Sequence, residues 1–141
     1  MTTIMEAAIL IGLTLAAVSL SVAVAAMIFQ AHNLEQIREI AAENRLPGKC
    51  MNASARLWVD LTKAGYRPKI CGGNLTSRSS RLEDVDHVWV MVEDTPGHWI
   101  NVEATVGKIV PAGLEWTYKP AVTFAAPSEM WDTYREVVGH A

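Results

Sequence analysis

The sequence predicts an α+β domain preceded by a helix long enough to cross a membrane. Three observations carry that prediction. Residues 7–31 contain no ionisable side chain. Residues 50–65 repeat their apolar positions at helical spacing. From Arg67 onward, short runs of alternating character are separated by glycine and proline turns, the mark of strands joined by tight connections. Helix first and sheet second is an α+β order, because parallel sheets need helices interleaved between their strands.

The apolar run reads "AAILIGLTLAAVSLSVAVAAMIFQA". As a helix it is about 37 Å long, enough to span a bilayer and contact membrane lipid through residues 7–31. A cleaved secretory signal or a buried core helix is the rival reading. Against a signal, no Lys or Arg precedes the run, and the run exceeds the usual apolar region of such signals. Arg38, Arg45 and Lys49 follow the span while Glu6 precedes it, so the positive-inside rule predicts a single-pass protein whose C-terminal part is cytoplasmic. Gly12, Ala16, Ala17, Ser21 and Ala25 include four-residue spacings that permit helix–helix association in the membrane. An apolar N-terminal helix with Glu6 near its start is also similar to that of a type IV pilin, which keeps a structural membrane or filament subunit among the readings, although no basic leader with a processing site precedes the span.

With a formal net charge of −3 and no clustered basic face, the chain lacks the electrostatic footprint of a nucleic-acid-binding protein. It contains neither G-x-x-x-x-G-K-[ST] nor G-x-G-x-x-G, so a nucleotide is not expected, and no other cofactor is implied.

The expected organisation is a membrane helix over 1–32, a juxtamembrane helix or linker over 33–49 and a domain over 50–141. Asn33 with Gln36 three positions on is a candidate helix cap, followed by the apolar stripe Leu34, Ile37, Ile40 and Ala41. This helix continues from the span or bends at its exit, and ends near Arg45 because Pro47 and Gly48 follow. A second helix opens at Cys50. Its inward face is Cys50, Ser54, Leu57, Trp58, Leu61 and Gly65; its outward face is Asn52, Arg56, Asp60 and Lys63.

Beyond it, "RPKICGG" reads as a short strand and "NLTSRSSRLED" as a polar loop. "DHVWVMVED", "TPG" and "HWINVEAT" read as a hairpin, and "KIVPA", "LEWTY" and "AVTFA" as further extended pieces. A closing helix is expected after Pro127, capped by Ser128, with Met130, Trp131, Tyr134, Val137 and Val138 as its apolar face.

Chemistry follows from where the cysteine falls. A thiolate is the nucleophilic form of cysteine, and a helix N-terminus together with an imidazolium lowers the thiol pKa. Cys50 stands at such a start. In the first strand of the hairpin His87, Trp89 and Met91 share one side. A turn at Thr95, Pro96 and Gly97 brings His87 near the latter part of the second strand, within reach of Glu103. Nucleophile, base and orienting acid are then Cys50, His87 and Glu103.

A cysteine opening a helix, then "GY" and a short strand, then "HVWV", then "WINVEATVG" resembles the transglutaminase-like branch of papain-fold cysteine enzymes, over about residues 47–110. The resemblance implies a papain-like domain and a nucleophile, base and orienting acid at Cys50, His87 and Glu103. The last is more commonly aspartate in that family, and glutamate adds a methylene. It also implies acyl transfer through a thioester on a peptide or protein amide, the oxyanion receiving one hydrogen bond from the Cys50 backbone N–H. Resolution by water makes a protease or amidase; resolution by an amine makes a cross-linking transglutaminase.

Each residue also has a plainer reading. Cys50 fits a small core hydrophobe or a disulfide with Cys71, and Cys71 fits core packing. His87 fits a hydrogen-bonded core histidine and Glu103 an edge-strand surface residue. Asp86 and Asp94 fit local capping and solvation. Trp89 and Trp99 fit either core or groove lining, with core the commoner role. His98 is expected at the surface and His140 in a frayed tail. His87, His98 and Glu103 are adequate zinc ligands but lack a closed ligand spacing. A catalytically inactive module of the same shape, binding or scaffolding without turnover, is the alternative to an enzyme.

Overall fold

The protein is described by a computed structural model that covers residues 2–139 and the side chains of residues 3–137. Its elements are α1 (Thr2–Glu43), α2 (Cys50–Lys63), β1 (Pro68–Gly73), β2 (His87–Thr95), β3 (His98–Glu103), β4 (Lys108–Ile109), β5 (Val122–Phe124) and α3 (Pro127–Gly139). Two 3₁₀ turns lie at Leu82–Asp84 and Ala112–Thr117. The fold is α+β. The chain divides between Leu34 and Glu35 into two compact units.

In the first unit, α1 is long and apolar enough to cross a membrane. Every side chain from residue 3 to residue 29 is exposed, apolar ones included, so nothing among the described residues covers this surface. Two of its hydroxyls bond back to the helix: Thr14 donates to the Leu10 carbonyl at 2.8 Å and Ser21 to that of Ala17 at 2.9 Å. Such bonds suit an apolar surrounding, which offers no partner to an unpaired polar group.

The last turns of α1 belong to the second unit, where Ile37 and Ala41 of the expected stripe are fully buried. The helix runs unbroken through Asn33, which therefore does not cap it. A cap residue needs non-helical backbone, and the apolar run on one side and the stripe on the other make continuation cheaper than a break. Asn44, just past the end, ties α1 to α2 by donating to the Asp60 carboxylate at 2.9 Å. Near the start of the second unit, the Tyr66 hydroxyl donates to Gln36 at 2.5 Å.

The sheet is antiparallel throughout, in the order β4-β3-β2-β1-β5. β2 is its centre, with Val90 opposite Ile70 on β1 and Val102 on β3. α2 packs on β1 and β2, burying Ala53, Ser54, Leu57 and Leu61. Cys50, Met51, Ala55 and Trp58 of the same helix lean on a core of Ile70, Val88, Phe124 and Met130. The predicted inward face holds except at Gly65, which is exposed beyond the helix end with φ +95°. That left-handed turn is open to glycine and closes the helix two residues past Lys63.

Three further expectations are corrected. "LEWTY" is not extended: Leu114 N–H donates to Pro111 and Tyr118 N–H to Glu115, the three-residue closure of a 3₁₀ turn. Its alternating pattern is overridden by this local closure. Ser128 lies inside α3 rather than capping it, because Pro127 takes the first helical position, where its missing N–H costs nothing. Asp94 is buried, not solvated: its carboxylate accepts from the Thr95 N–H at 2.8 Å and pairs with His98 at 2.5 Å. Of the expected apolar face of α3, Met130 is buried, Trp131 half-buried, and Tyr134 and Val137 exposed. The Val138 side chain and His140 lie outside the described residues.

Candidate active site

The site forms where the start of α2 meets the start of β2. Pro47 and Gly48, the latter at φ +74°, end the link from α1 and let the backbone turn into α2 at Lys49. Lys49 makes no side-chain cap, and the first closed helical bond is Ala53 N–H to the Lys49 carbonyl at 2.8 Å. The N–H groups of Cys50, Met51 and Asn52 are thus left without helical partners, the polarised end that favours negative charge.

His87 opens β2 opposite Gly73 of β1, and Glu103 closes β3. Since β2 and β3 run antiparallel, the first residue of one lies beside the last of the other. His87 Nε2 and Glu103 Oε2 are 2.7 Å apart. The longer glutamate side chain therefore reaches the ring. Two hydroxyls complete its coordination: Thr105 donates to Oε1 at 3.0 Å and Tyr118 to Oε2 at 3.1 Å. Nε2 being committed to Glu103, Nδ1 is the nitrogen left for the Cys50 thiol, and each of the two groups shifts the other's pKa.

The electrostatics follow this line. The hydrogen bond to His87 lowers the Cys50 thiol most; partial burial opposes it, while the Val88 N–H, the imidazole charge and the Met51 N–H add to the lowering. Hydrogen bonds to Cys50 and then Glu103 raise His87 well above the ordinary imidazole, against the effect of burial. For Glu103 burial pushes the carboxyl up, but the hydrogen bond and charge of His87, with Thr105 and Tyr118, outweigh it and the net shift is down. The three shifts together favour thiolate, imidazolium and carboxylate over the neutral forms. Burial, aided by Glu103, pushes the Tyr118 hydroxyl up to about 12, so it stays a donor.

Trp89 is the bracket behind this line. Fully buried, it stacks on His87 with centroids 6.2 Å apart and meets Tyr118 edge-on at 5.3 Å. Its indole N–H donates to Asn101 at 3.0 Å. Room for the indole depends on Gly73, where a Cβ would fall 2.7 Å from the Lys119 carbonyl and 3.0 Å from the Trp89 ring. Trp89 is therefore core and not groove lining. Trp99 pairs with Glu93 toward the turn of the hairpin, under Lys69 at 4.2 Å.

The remaining sequence candidates separate from the site. Cys71 is free and fully buried in β1 between Trp89 and Thr123, and burial pushes its thiol up to about 12. Cys50 is free as well, so no Cys50–Cys71 disulfide exists. His98 is exposed at the hairpin turn, paired with Asp94 and not with Glu103. No group of three metal-ligating side chains occurs among the described residues. Two members of the site carried no role in the sequence reading. Thr105 stands two residues after Glu103, and that spacing was the signal for it. Tyr118 arrives from a 3₁₀ turn 15 residues away, and no local pattern marks it.

A cleft of about 210 Å³ opens on Cys50 and His87. Comparison with known proteins finds no matching family model, no matching curated protein and no matching solved structure.

Proposed function

We propose that this chain is a membrane-tethered cysteine enzyme of the transglutaminase-like, papain-fold kind, transferring the acyl group of an amide through Cys50, His87 and Glu103. The observation that carries the reading is the His87–Glu103 hydrogen bond at 2.7 Å, with the Cys50 thiol lowered by the same imidazole. An inert core cysteine has neither an imidazole at its sulfur nor a lowered thiol pKa.

In this reading Cys50 Sγ attacks the amide carbonyl carbon as a thiolate. The carbonyl oxygen takes up negative charge at the start of α2, where the Cys50 N–H is one donor. The C–N bond breaks, and the amine leaves with the proton carried by the His87 imidazolium. Water or a second amine then gives a proton to His87 and attacks the thioester. The C–S bond breaks, releasing acid or a new amide and restoring the thiolate–imidazolium pair. Glu103 holds the ring and its charge through both halves, itself held by Thr105 and Tyr118.

Residues 7–31 anchor the enzyme in lipid, and the bias of Arg38, Arg45 and Lys49 puts the catalytic part on the cytoplasmic side. Protease protection of sealed vesicles tests that side. The chemistry is tested with the full chain in detergent micelles, by release of amine from peptide amides and by intact mass of the acyl-enzyme. The expected result is turnover that Cys50→Ala abolishes along with the adduct; turnover surviving that change would sink the reading.

A further inference from the structure

The cleft beside the nucleophile is apolar. Its floor is Val122, Phe124 and Met130, of which Phe124 is 7% and Met130 1% exposed. Its lip is Leu82, Tyr134 and Val137, each between 44% and 49% exposed. Exposed apolar side chains at the mouth of an apolar pocket mark a surface that is covered during function. The three lip residues come from the 3₁₀ turn before β2 and from α3, segments that contribute nothing to the thiol–imidazole–carboxylate line. The cleft is nevertheless continuous with that line, because Cys50, His87 and Val88 form its inner wall.

Its size limits the occupant. An apolar cavity of about 150 Å³ holds benzene, so about 210 Å³ takes one ring or a branched chain of a few carbons and is too small for a long acyl chain. The charged groups that line it, His87 and Asp86, are adjacent and of opposite sign, so the cleft offers no net charge to an ionic occupant.

We infer that this cleft binds an apolar side chain of the acyl donor, so that the substrate is a peptide-type amide with a leucine- to phenylalanine-sized side chain beside the bond that Cys50 attacks. The inference rests on the acyl transfer proposed above and names its substrate class. Specificity then lies in α3, β5 and the 3₁₀ turn at Leu82–Asp84, and reactivity in α2 and the hairpin.

The test uses the full chain in detergent micelles and acetyl-peptidyl vinyl sulfones that differ in one side chain: glycine, leucine, phenylalanine or glutamate. A fifth probe replaces that side chain with a hexadecyl chain. Each rate of Cys50 adduct formation, followed by intact mass, is divided by the rate with iodoacetamide, which carries no side chain to bind. Leucine and phenylalanine probes are expected to exceed glycine by about 10- to 100-fold, with glutamate below glycine. Val122→Phe, which fills the floor, and Tyr134→Ala, an exposed position whose loss spares the core, are each expected to cut that preference severalfold. A flat series, or one led by the glutamate or hexadecyl probe, overturns the inference while leaving the thiol chemistry standing. If iodoacetamide does not single out Cys50, the acyl-transfer reading and this inference fall together.

Discussion

The two cysteines of this chain have the same side chain in two surroundings. Cys50 is half-buried at the start of α2, with an imidazole on its sulfur and two backbone N–H groups aimed at it, and its thiol is lowered. Cys71, in the middle of β1, is sealed from solvent between neighbouring strands, and its thiol is raised to about 12. Burial acts in the same direction on both. Direct hydrogen bonding and a facing positive charge reverse it at Cys50; at Cys71 the charge of Lys69 and the Met91 N–H oppose burial without overcoming it. Thiol acidity thus follows from the element end and its partners, not from the residue type.

The sharpest way to break the contrast is to remove each thiol. Cys50→Ala is expected to lower amide turnover by at least about 10³-fold, as loss of a nucleophile does. Cys71→Ala is expected to keep kcat/KM within about threefold and to lower Tm through a small cavity in the sheet. Equal losses of activity from the two changes would erase the distinction.

Alkylation separates the thiols without turnover. Iodoacetamide should label Cys50 in the native protein below the pH at which an ordinary thiol reacts, and Cys71 only after unfolding. Because the Cys50 thiol is lowered, its labelling falls as pH drops through that lowered value. Replacing the imidazole by His87→Ala removes the largest lowering influence, so the profile moves to higher pH and labelling near pH 6 falls about 10- to 100-fold.

Glu103→Gln works one step further along the line. It removes the negative charge that raises His87 and leaves a neutral amide acceptor in its place, so the imidazolium gives up its proton at lower pH. The alkaline limb of the kcat/KM profile should move toward neutrality by about one pH unit, with about a 10-fold loss at its former plateau. An unmoved limb would mean that the carboxylate orients nothing.

The smallest effect expected is that of Tyr118→Phe. The hydroxyl donates to Glu103 and does not touch His87, so its removal should cost about 2- to 10-fold in kcat/KM, with the alkaline limb shifted in the same direction as in Glu103→Gln but less. A fall in activity with no change in the limb would point to a purely structural role.

Much of the site was legible before any coordinates. Pro47 and Gly48 set the break before Cys50, and the Thr95–Gly97 turn sets the hairpin that returns Glu103 to His87. Each is a local signal within one or two elements. The errors share a cause. Asn33 has a cap's chemistry but sits where both flanking segments are helical; "LEWTY" has a strand's alternation but closes locally as a 3₁₀ turn; Asp94 has a surface residue's polarity but is enclosed beside the hairpin bulge. In each case the side chain's local preference was outweighed by what packs around it.

By itself the sequence determined the apolar first helix, the helix start at Cys50 and the alternation that puts His87 and Glu103 on one side of a hairpin, because periodicity and turn chemistry act over a few residues. Only the tertiary structure decided that Thr105 and Tyr118 converge on Glu103, that Trp89 backs the imidazole rather than lining a groove, and that α3 leaves an apolar cleft beside the thiol. Those outcomes depend on contacts between segments far apart in the chain, whose geometry is set by the packing of the whole sheet and by the small space Gly73 leaves open.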